Sequence, residues 1–321
     1  MPVYSHSRLS SFEKCPLQYK YRYIDKIKTE TQGIEAFMGN RVHEVLEKLY
    51  RDLMLSKRPS LEALVAFYEE RWRQEFSDKV TIVKTEFTAE HYRQVGERCV
   101  AGYYRRYEPF DQTATVGLEE RVALALDPDN RYQLQGYVDR LARAAPGVYE
   151  IHDYKTSSSL PSDTDLRRDR QLTIYLMAVQ RRFADAREIR LIWHYLAFDQ
   201  ELSSSRTPAE IEDHRRKTIG LITTIEKTTE FPPHESPLCR WCDYRPICPV
   251  QKHLVKPAAP RPELVAVLER VVPPEPVAIQ KNAPQSEKIA VRESAARAEP
   301  PKKTGPATPA RVPEQLGLFK S

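Results

Sequence analysis

Asp153 and Lys155 stand two apart in the run V-Y-E-I-H-D-Y-K-T, so on a strand they share a face with Tyr149 and Ile151. A carboxylate and an ammonium so placed suit divalent-metal phosphodiester chemistry. The carboxylate ligates a hard cation, and the ammonium steers a water or meets the scissile phosphate. One strand earlier, G-Y-V-D-R supplies Asp139 beside a glycine that permits close approach. Two carboxylates from adjacent strands can then converge on one metal. Glu120 falls on the otherwise apolar face of the strand before, where a carboxylate is costly unless paired or metal-bound. His43 flanks the stripe of Val42, Leu46 and Leu49 and can face the same cleft. Singly, each has a plainer reading. D-x-K is common on strands, Asp139-Arg140 suits a surface pair, and a slip of one residue puts Glu120 in water. A histidine beside an apolar face is more often part of a core.

Cys239-x₂-Cys242-x₅-Cys248 has metal-ligand spacing and reads equally as zinc or iron–sulfur. A fourth ligand is needed, and Cys15 in S-S-F-E-K-C-P is the candidate. Cys99 falls inside a helical pattern and reads as a buried thiol. Lys14, Lys20, Arg22, Lys26 and Lys28 interleave with Tyr19, Tyr21 and Tyr23. Cations track phosphates and rings stack bases, which suits single-stranded nucleic acid, although a solvated face has equal standing. Arg167, Arg168 and Arg170 form a second basic cluster before Gln171.

The elements that must position these groups follow from periodicity. Residues 7–27 read as a short helix broken at Pro16, and helical patterns cover 33–55, 60–76 and 89–107. The period then changes to two over 115–126, with Val116, Leu118, Val122, Leu124 and Leu126 on one side. D-P-D-N at 127–130 turns this strand into a hairpin with 131–143, and A-P-G precedes a third strand at 148–155. A helix over 166–183, a strand over 188–198 and a helix opened by Thr207-Pro208 complete the pattern. The fold class is α/β, a mixed sheet flanked by helices.

Composition bounds the rest. The chain has 321 residues and a formal charge of +5, from 50 Lys+Arg against 45 Asp+Glu. From Val255 onward there are 11 basic and 7 acidic residues, so the remaining 39 and 38 nearly cancel. Bulk charge therefore makes no case for nucleic acid. Twelve of the 25 prolines also lie beyond residue 255, which marks 255–313 as a disordered linker after a domain at 1–254. No G-x-x-x-x-G-K-[ST] occurs, which speaks against an NTP-driven motor. The polar start and the lack of a long apolar run predict a cytoplasmic protein with no membrane contact.

Taken in order, G-N-R-V-H-E-V-L-E, G-Y-V-D-R, H-D-Y-K-T and R-Q-L-T-I-Y-L resemble the RecB-type branch of the PD-(D/E)xK nucleases. That branch includes CRISPR-adaptation exonucleases, and the likeness spans residues 5–250. It implies a restriction-endonuclease-like core and a Mg²⁺- or Mn²⁺-dependent exonuclease acting in DNA repair or recombination. By resemblance His43, Asp139, Asp153 and Lys155 form the active centre, with the Tyr154 carbonyl a further ligand. Gln171 and Tyr175 match the family's Q-x-x-x-Y and line the DNA path, while Glu120 is a supporting acid. Cys15 with Cys239, Cys242 and Cys248 matches the iron–sulfur subset, favouring a structural [4Fe–4S] cluster with zinc as the alternative. The end of the chain at 314–321 contains Q-L-x-L-F, similar to the peptide by which bacterial repair proteins dock on the polymerase sliding clamp. Gln315 would hydrogen-bond at the pocket edge while Leu316, Leu318 and Phe319 fill its groove. A helicase is a further candidate partner. The alternatives are a non-catalytic scaffold subunit of a helicase–nuclease complex and a structure-specific endonuclease.

Overall fold

The structure, a computed structural model, describes residues 2–254. The segments expected to be a linker and a clamp peptide, at 255–313 and 314–321, lie outside the described residues, as do Gln315, Leu316, Leu318 and Phe319.

The first half is mainly helical. It runs β1 (Val3–Tyr4), α1 (His6–Lys14), α2 (Pro16–Tyr19), a π-helical turn (Lys20–Ile24), β2 (Gln32–Gly33), α3 (Ile34–Met54), α4 (Leu61–Glu75), β3 (Val80–Thr81) and α5 (Ala89–Tyr107). The sheet half follows as β4 (Ala114–Ala125), β5 (Gln133–Ala145), β6 (Val148–Lys155), α6 (Asp163–Arg168), α7 (Arg170–Arg182), β7 (Glu188–Tyr195), β8 (Gln200–Ser204) and α8 (Pro208–Lys227). Local chemistry sets the boundaries. Ser5, Ser60, Thr88 and Thr207 accept backbone N–H bonds at helix starts, and Pro16 and Pro208 occupy first-turn positions. In the D-P-D-N turn Asp127 accepts from the Tyr132 N–H at 2.9 Å, closing the β4–β5 hairpin. Gly147, at φ 76°, turns β5 into β6.

The main sheet runs β1-β5-β6-β7-β8, with β4 on β5 as well. Pairs β4–β5, β5–β6 and β7–β8 are antiparallel. Strands β6 and β7 are parallel, the crossover between them being α6 and α7. Helices α7 and α8 join α1 in one core, with Val122, Leu134, Val138, Ile151, Leu172, Val179, Trp193 and Ile222 at its centre. A second core joins α3, α4 and α5 around Val42, Leu46, Leu49, Tyr68, Trp72 and Tyr103. Each fully buried aliphatic side chain of the α3 stripe contributes about 1.5–3 kcal/mol.

Three expectations are corrected. The helix expected over 166–183 is interrupted at Asp169, whose Oδ1 accepts from the Leu172 N–H at 2.8 Å and restarts the helix as α7. The strand expected to reach 198 ends at Tyr195. A 3₁₀ turn and Asp199, at φ 48°, fold the chain back as β8. A bulge between Thr115 and Gly117 breaks the alternation of β4 and leaves Val116 exposed.

Between the sheet and α5 runs a buried polar relay. An Arg140 N–H faces His152 Nε2 at 3.3 Å, His152 Nδ1 meets His194 Nε2 at 2.9 Å, and His194 Nδ1 meets Tyr107 Oη at 3.1 Å. Tyr107 Oη donates to Glu201 at 2.5 Å. Arginine can only donate and a carboxylate can only accept, so each imidazole is neutral and carries its proton on Nδ1. Burial holds both histidines far below their usual pKa, and Arg140 adds to the effect. Arg140 is therefore no surface residue: it is 4% exposed and lies 3.9 Å from the centre of the Tyr50 ring.

Candidate active site

The β5–β6 ladder runs from Ala145/Val148 only as far as Arg140/His152. Beyond that point β5 leaves β6 and pairs with β1. The Tyr154 N–H that would have continued the ladder donates instead to Asp139 Oδ2 at 2.8 Å. The sheet thus forks, and the chemistry collects in the fork.

On one side stands His43 of α3, its Nδ1 3.6 Å from Asp139 Oδ2 and its Nε2 2.9 Å from the Tyr154 carbonyl oxygen. A carbonyl only accepts, so Nε2 carries the proton and Nδ1 presents a lone pair toward Asp139. The Tyr154 carbonyl thus orients the imidazole. Glu119 completes the group. One donor atom each from His43, Glu119 and Asp139 lies within 4.8 Å of the others, the only such triad of potential ligands among the described residues.

Glu120 is a correction. Glu119 adopts φ 44°, a left-handed conformation that costs a non-glycine residue about 1–3 kcal/mol. The kink aims Glu119 into the fork and sends Glu120 to Arg182 of α7, at 2.5 Å. The site's acid is one position earlier than periodicity placed it. Glu119→Gln is expected to weaken Mn²⁺ binding at least about tenfold. Glu120→Gln should leave it unchanged, since it breaks a half-exposed ion pair worth about 1 kcal/mol or less. Isothermal titration with Mn²⁺ on both variants checks this.

Across the fork, Asp153 is 3% exposed and faces α7. Lys155 Nζ lies 2.6 Å from its Oδ2, and the Gln171 amide donates to its Oδ1 at 3.2 Å. Lys155 also donates to Gln171 Oε1 at 3.3 Å. Burial pushes the Asp153 carboxyl up to about 6, against the pull of Lys155. The Asp153 carboxylate, helped by Asp139 and Asp169, outweighs burial at Lys155 and raises its pKa, so the ammonium stays charged. Gln171 thus grips both members of the pair. Tyr175 does not line an open path. It is buried, accepts from Gln171 at 3.3 Å, and its ring fills the space left by Gly136, where a Cβ would lie 2.4 Å from Cε1.

The interleaved Lys and Tyr run is mostly packed. Tyr19 is buried against Phe12, Tyr23 and Phe231, and Tyr21 lies against Tyr244. Lys20 pairs with Asp25 at 2.6 Å, and Arg22 lies beside Asp243 at the cysteine-rich end. Neither belongs to the fork. Cys15, Cys239, Cys242 and Cys248 line one cavity of about 190 Å³. Three of these sulfurs accept hydrogen bonds: Cys15 from the His234 N–H at 3.3 Å, Cys239 from the Ser236 N–H at 3.4 Å, and Cys242 from Gln18 at 3.6 Å. Cys99 is buried elsewhere, its thiol pushed up to about 11 by burial.

The model of the PD-(D/E)XK nuclease superfamily matches residues 3–249. The chain belongs to that superfamily. The matched span includes the fork and the run Asp153-Tyr154-Lys155. No curated protein matches the sequence. Among solved structures, a putative exonuclease from Eubacterium rectale is similar, with 12% identity over 82% of this chain and 92% of that one, at a TM-score of 0.43. The protein SSO0001 shares 16% identity over 76% of this chain and 85% of its own, at a TM-score of 0.32. The fork of this PD-(D/E)XK chain suits a divalent cation: an imidazole lone pair and two carboxylates converge, a donor set that fits Mn²⁺ or Mg²⁺.

Proposed function

We propose that the chain is a divalent-metal-dependent nuclease of the RecB-type branch that hydrolyses DNA phosphodiester bonds, digesting single strands from an end in repair or recombination. The observation that carries this reading is the meeting of His43, Glu119 and Asp139 with the Asp153–Lys155–Gln171 group at one fork of the sheet. A cation held by His43, Glu119 and Asp139, with Asp153 beside them, would polarise the phosphate and lower the pKa of a water. Lys155, held protonated and fixed by Gln171, offsets negative charge gathering on the phosphate in the transition state. Asp153 aims that ammonium. His43 keeps its Nδ1 lone pair pointed inward because Tyr154 holds its other nitrogen.

Proton linkage gives the site a pH signature. Burial, reinforced by Asp139 and opposed by His43, pushes Glu119 up to about 7, and Asp153 stands at about 6. Both folded values exceed those of the unfolded chain. The stability these acids contribute to the metal-free protein is therefore fully present below the ordinary carboxylate range and is lost as pH rises through 6 and 7. A cation must displace the same protons. Mn²⁺ is thus expected to raise Tm by about 5 °C or more at pH 8 and hardly at all at pH 5. Thermal denaturation with Mn²⁺ or EDTA at the two pH values measures the difference.

The proposal includes a [4Fe–4S] cluster held by Cys15, Cys239, Cys242 and Cys248. The shared cavity and the N–H donors to three sulfurs support it. Zinc on the same four sulfurs is the alternative. Docking of the terminal Q-L-x-L-F on a sliding clamp, and work beside a helicase, belong to the same reading and rest on sequence alone.

The test is end-labelled single- and double-stranded DNA incubated with Mn²⁺ or with EDTA. Metal-dependent release of label supports the exonuclease. Internal cuts without end release would make the protein an endonuclease, and intact DNA in every lane would leave the scaffold reading.

A further inference from the structure

Strand β5 alternates strictly on its way to the fork. Leu134 and Val138 are buried in the core beneath α7, and Gly136 faces the Tyr175 ring. Gln133, Gln135 and Tyr137 therefore point to the opposite face. There Tyr137 is 54% exposed, an aromatic ring standing in open solvent two residues before Asp139. Its register partner on β4 is Arg121, also exposed, whose guanidinium donates to Gln135 at 2.9 Å. An aromatic ring, a cation and an amide thus form one shelf that ends at the candidate ligands Asp139 and Glu119.

The shelf is held firmly. The Tyr175 ring packs beneath the strand at Gly136, where the missing Cβ lets it in. The strand beneath Tyr137 is thus supported from the α7 side. At this exposure the ring gains little for folding beyond its cross-strand pairing with Arg121. Beside a phosphodiester-cleaving centre it offers a π-face, and Arg121 offers a charge complementary to a phosphate.

We propose that Tyr137, Arg121 and Gln135 form a binding shelf for single-stranded nucleic acid, Tyr137 stacking on a base adjacent to the scissile phosphate and Arg121 meeting the backbone. The assignment rests on the nuclease reading of the fork. It makes the preference for a single strand a property of this shelf, because a base within a duplex is already stacked on both faces and cannot present itself to Tyr137. In the Tyr19–Tyr23 run the Tyr19 ring is buried, and Tyr21 and Tyr23 are half-buried against aromatic neighbours.

The test compares the full-length wild type with Tyr137→Ala, Tyr137→Phe and Arg121→Ala. Binding to a labelled single-stranded oligonucleotide is measured by anisotropy in EDTA, and cleavage is measured with Mn²⁺. Hydrolysis of bis(p-nitrophenyl) phosphate, too small to reach the shelf, reports the fork alone. Tyr137→Ala is expected to weaken oligonucleotide binding on the order of 10- to 100-fold and leave the small ester's turnover unchanged. Tyr137→Phe should bind as wild type, since it keeps the ring, and Arg121→Ala should flatten the salt dependence of binding. Unchanged oligonucleotide binding by Tyr137→Ala overturns the shelf, as does equal loss on the small ester. A wild type that hydrolyses neither substrate overturns the nuclease reading itself. A photo-crosslinking amino acid at position 137 identifies the occupant: a crosslink to the oligonucleotide supports the shelf, and one to residues 255–321 or to a second copy overturns it.

Discussion

Asp153→Asn is expected to lower phosphodiester hydrolysis by about 10³-fold or more while the protein stays folded. The substitution keeps the size of the side chain and an oxygen for the Gln171 amide at 3.2 Å, but it removes the charge that holds Lys155 at 2.6 Å. Lys155 then loses the largest influence raising its pKa and the partner that aims it. Two functions fail together, the carboxylate beside the cation and the fixed ammonium. Lys155→Met should be as damaging, because it leaves Asp153 buried without its counter-charge and more readily protonated. Single-turnover cleavage of an oligonucleotide reads the chemical step, and circular dichroism shows that the fold survives. Activity within tenfold of wild type in either variant would defeat the assignment.

If the proposed [4Fe–4S] cluster is held as inferred, Cys15→Ser should strip the protein of its iron and of much of its stability. Cys15 and Cys239 are 224 positions apart, so a cluster joining them closes nearly the whole described chain. Chain-entropy arguments put such a cross-link at about 5 kcal/mol as a ceiling. The loss should also spread. Trp241 donates from its indole to Glu35 in the first turn of α3 at 3.3 Å, and the Tyr244 hydroxyl donates to the Ile27 carbonyl at 3.0 Å. These two contacts tie the cysteine-rich segment to the root of the helix that carries His43. Metal analysis of anaerobically purified protein should find about four irons in the wild type and none in Cys15→Ser. Hydrogen exchange over residues 24–36 should rise in the variant. Zinc in the wild type would replace the cluster by a single-ion site.

Much of this arrangement was legible from residue types. The hairpin β4–β5 and strand β6 follow from period two and the D-P-D-N turn, and α5 was read with the bounds it adopts, because each rests on local patterning. The superfamily was legible for the same reason: its motifs are short and sit on regular elements. What escaped depends on contacts distant in the chain or on single backbone angles. Strand β8 is a short polar edge, Q-E-L-S-S, whose hydrogen bonds go to β7 and whose side chains show no strong alternation. Glu119 and Glu120 are adjacent carboxylates, and only the φ of 44° decides which enters the fork. Tyr19 looked available for bases, but Phe231, 212 positions away, lies against its ring. Asp169 passed for one more helical residue in a charged run, although it caps α7 and also accepts from the Trp193 indole at 3.2 Å.

The relay behind the sheet bears on how this centre responds to acid. His152 is the immediate neighbour of Asp153, and in an ordinary setting it would gain a full positive charge in the range where Asp153 and Glu119 give up their protons. Three titrations would then overlap in pH. Arg140 already occupies the Nε2 side of His152, and a second neutral imidazole occupies the other. The ring has no free lone pair on which to take a proton. The strand carrying Asp153 thus has no readily protonated imidazole on its reverse face, so His152 and His194 add little to the pH response of the fork.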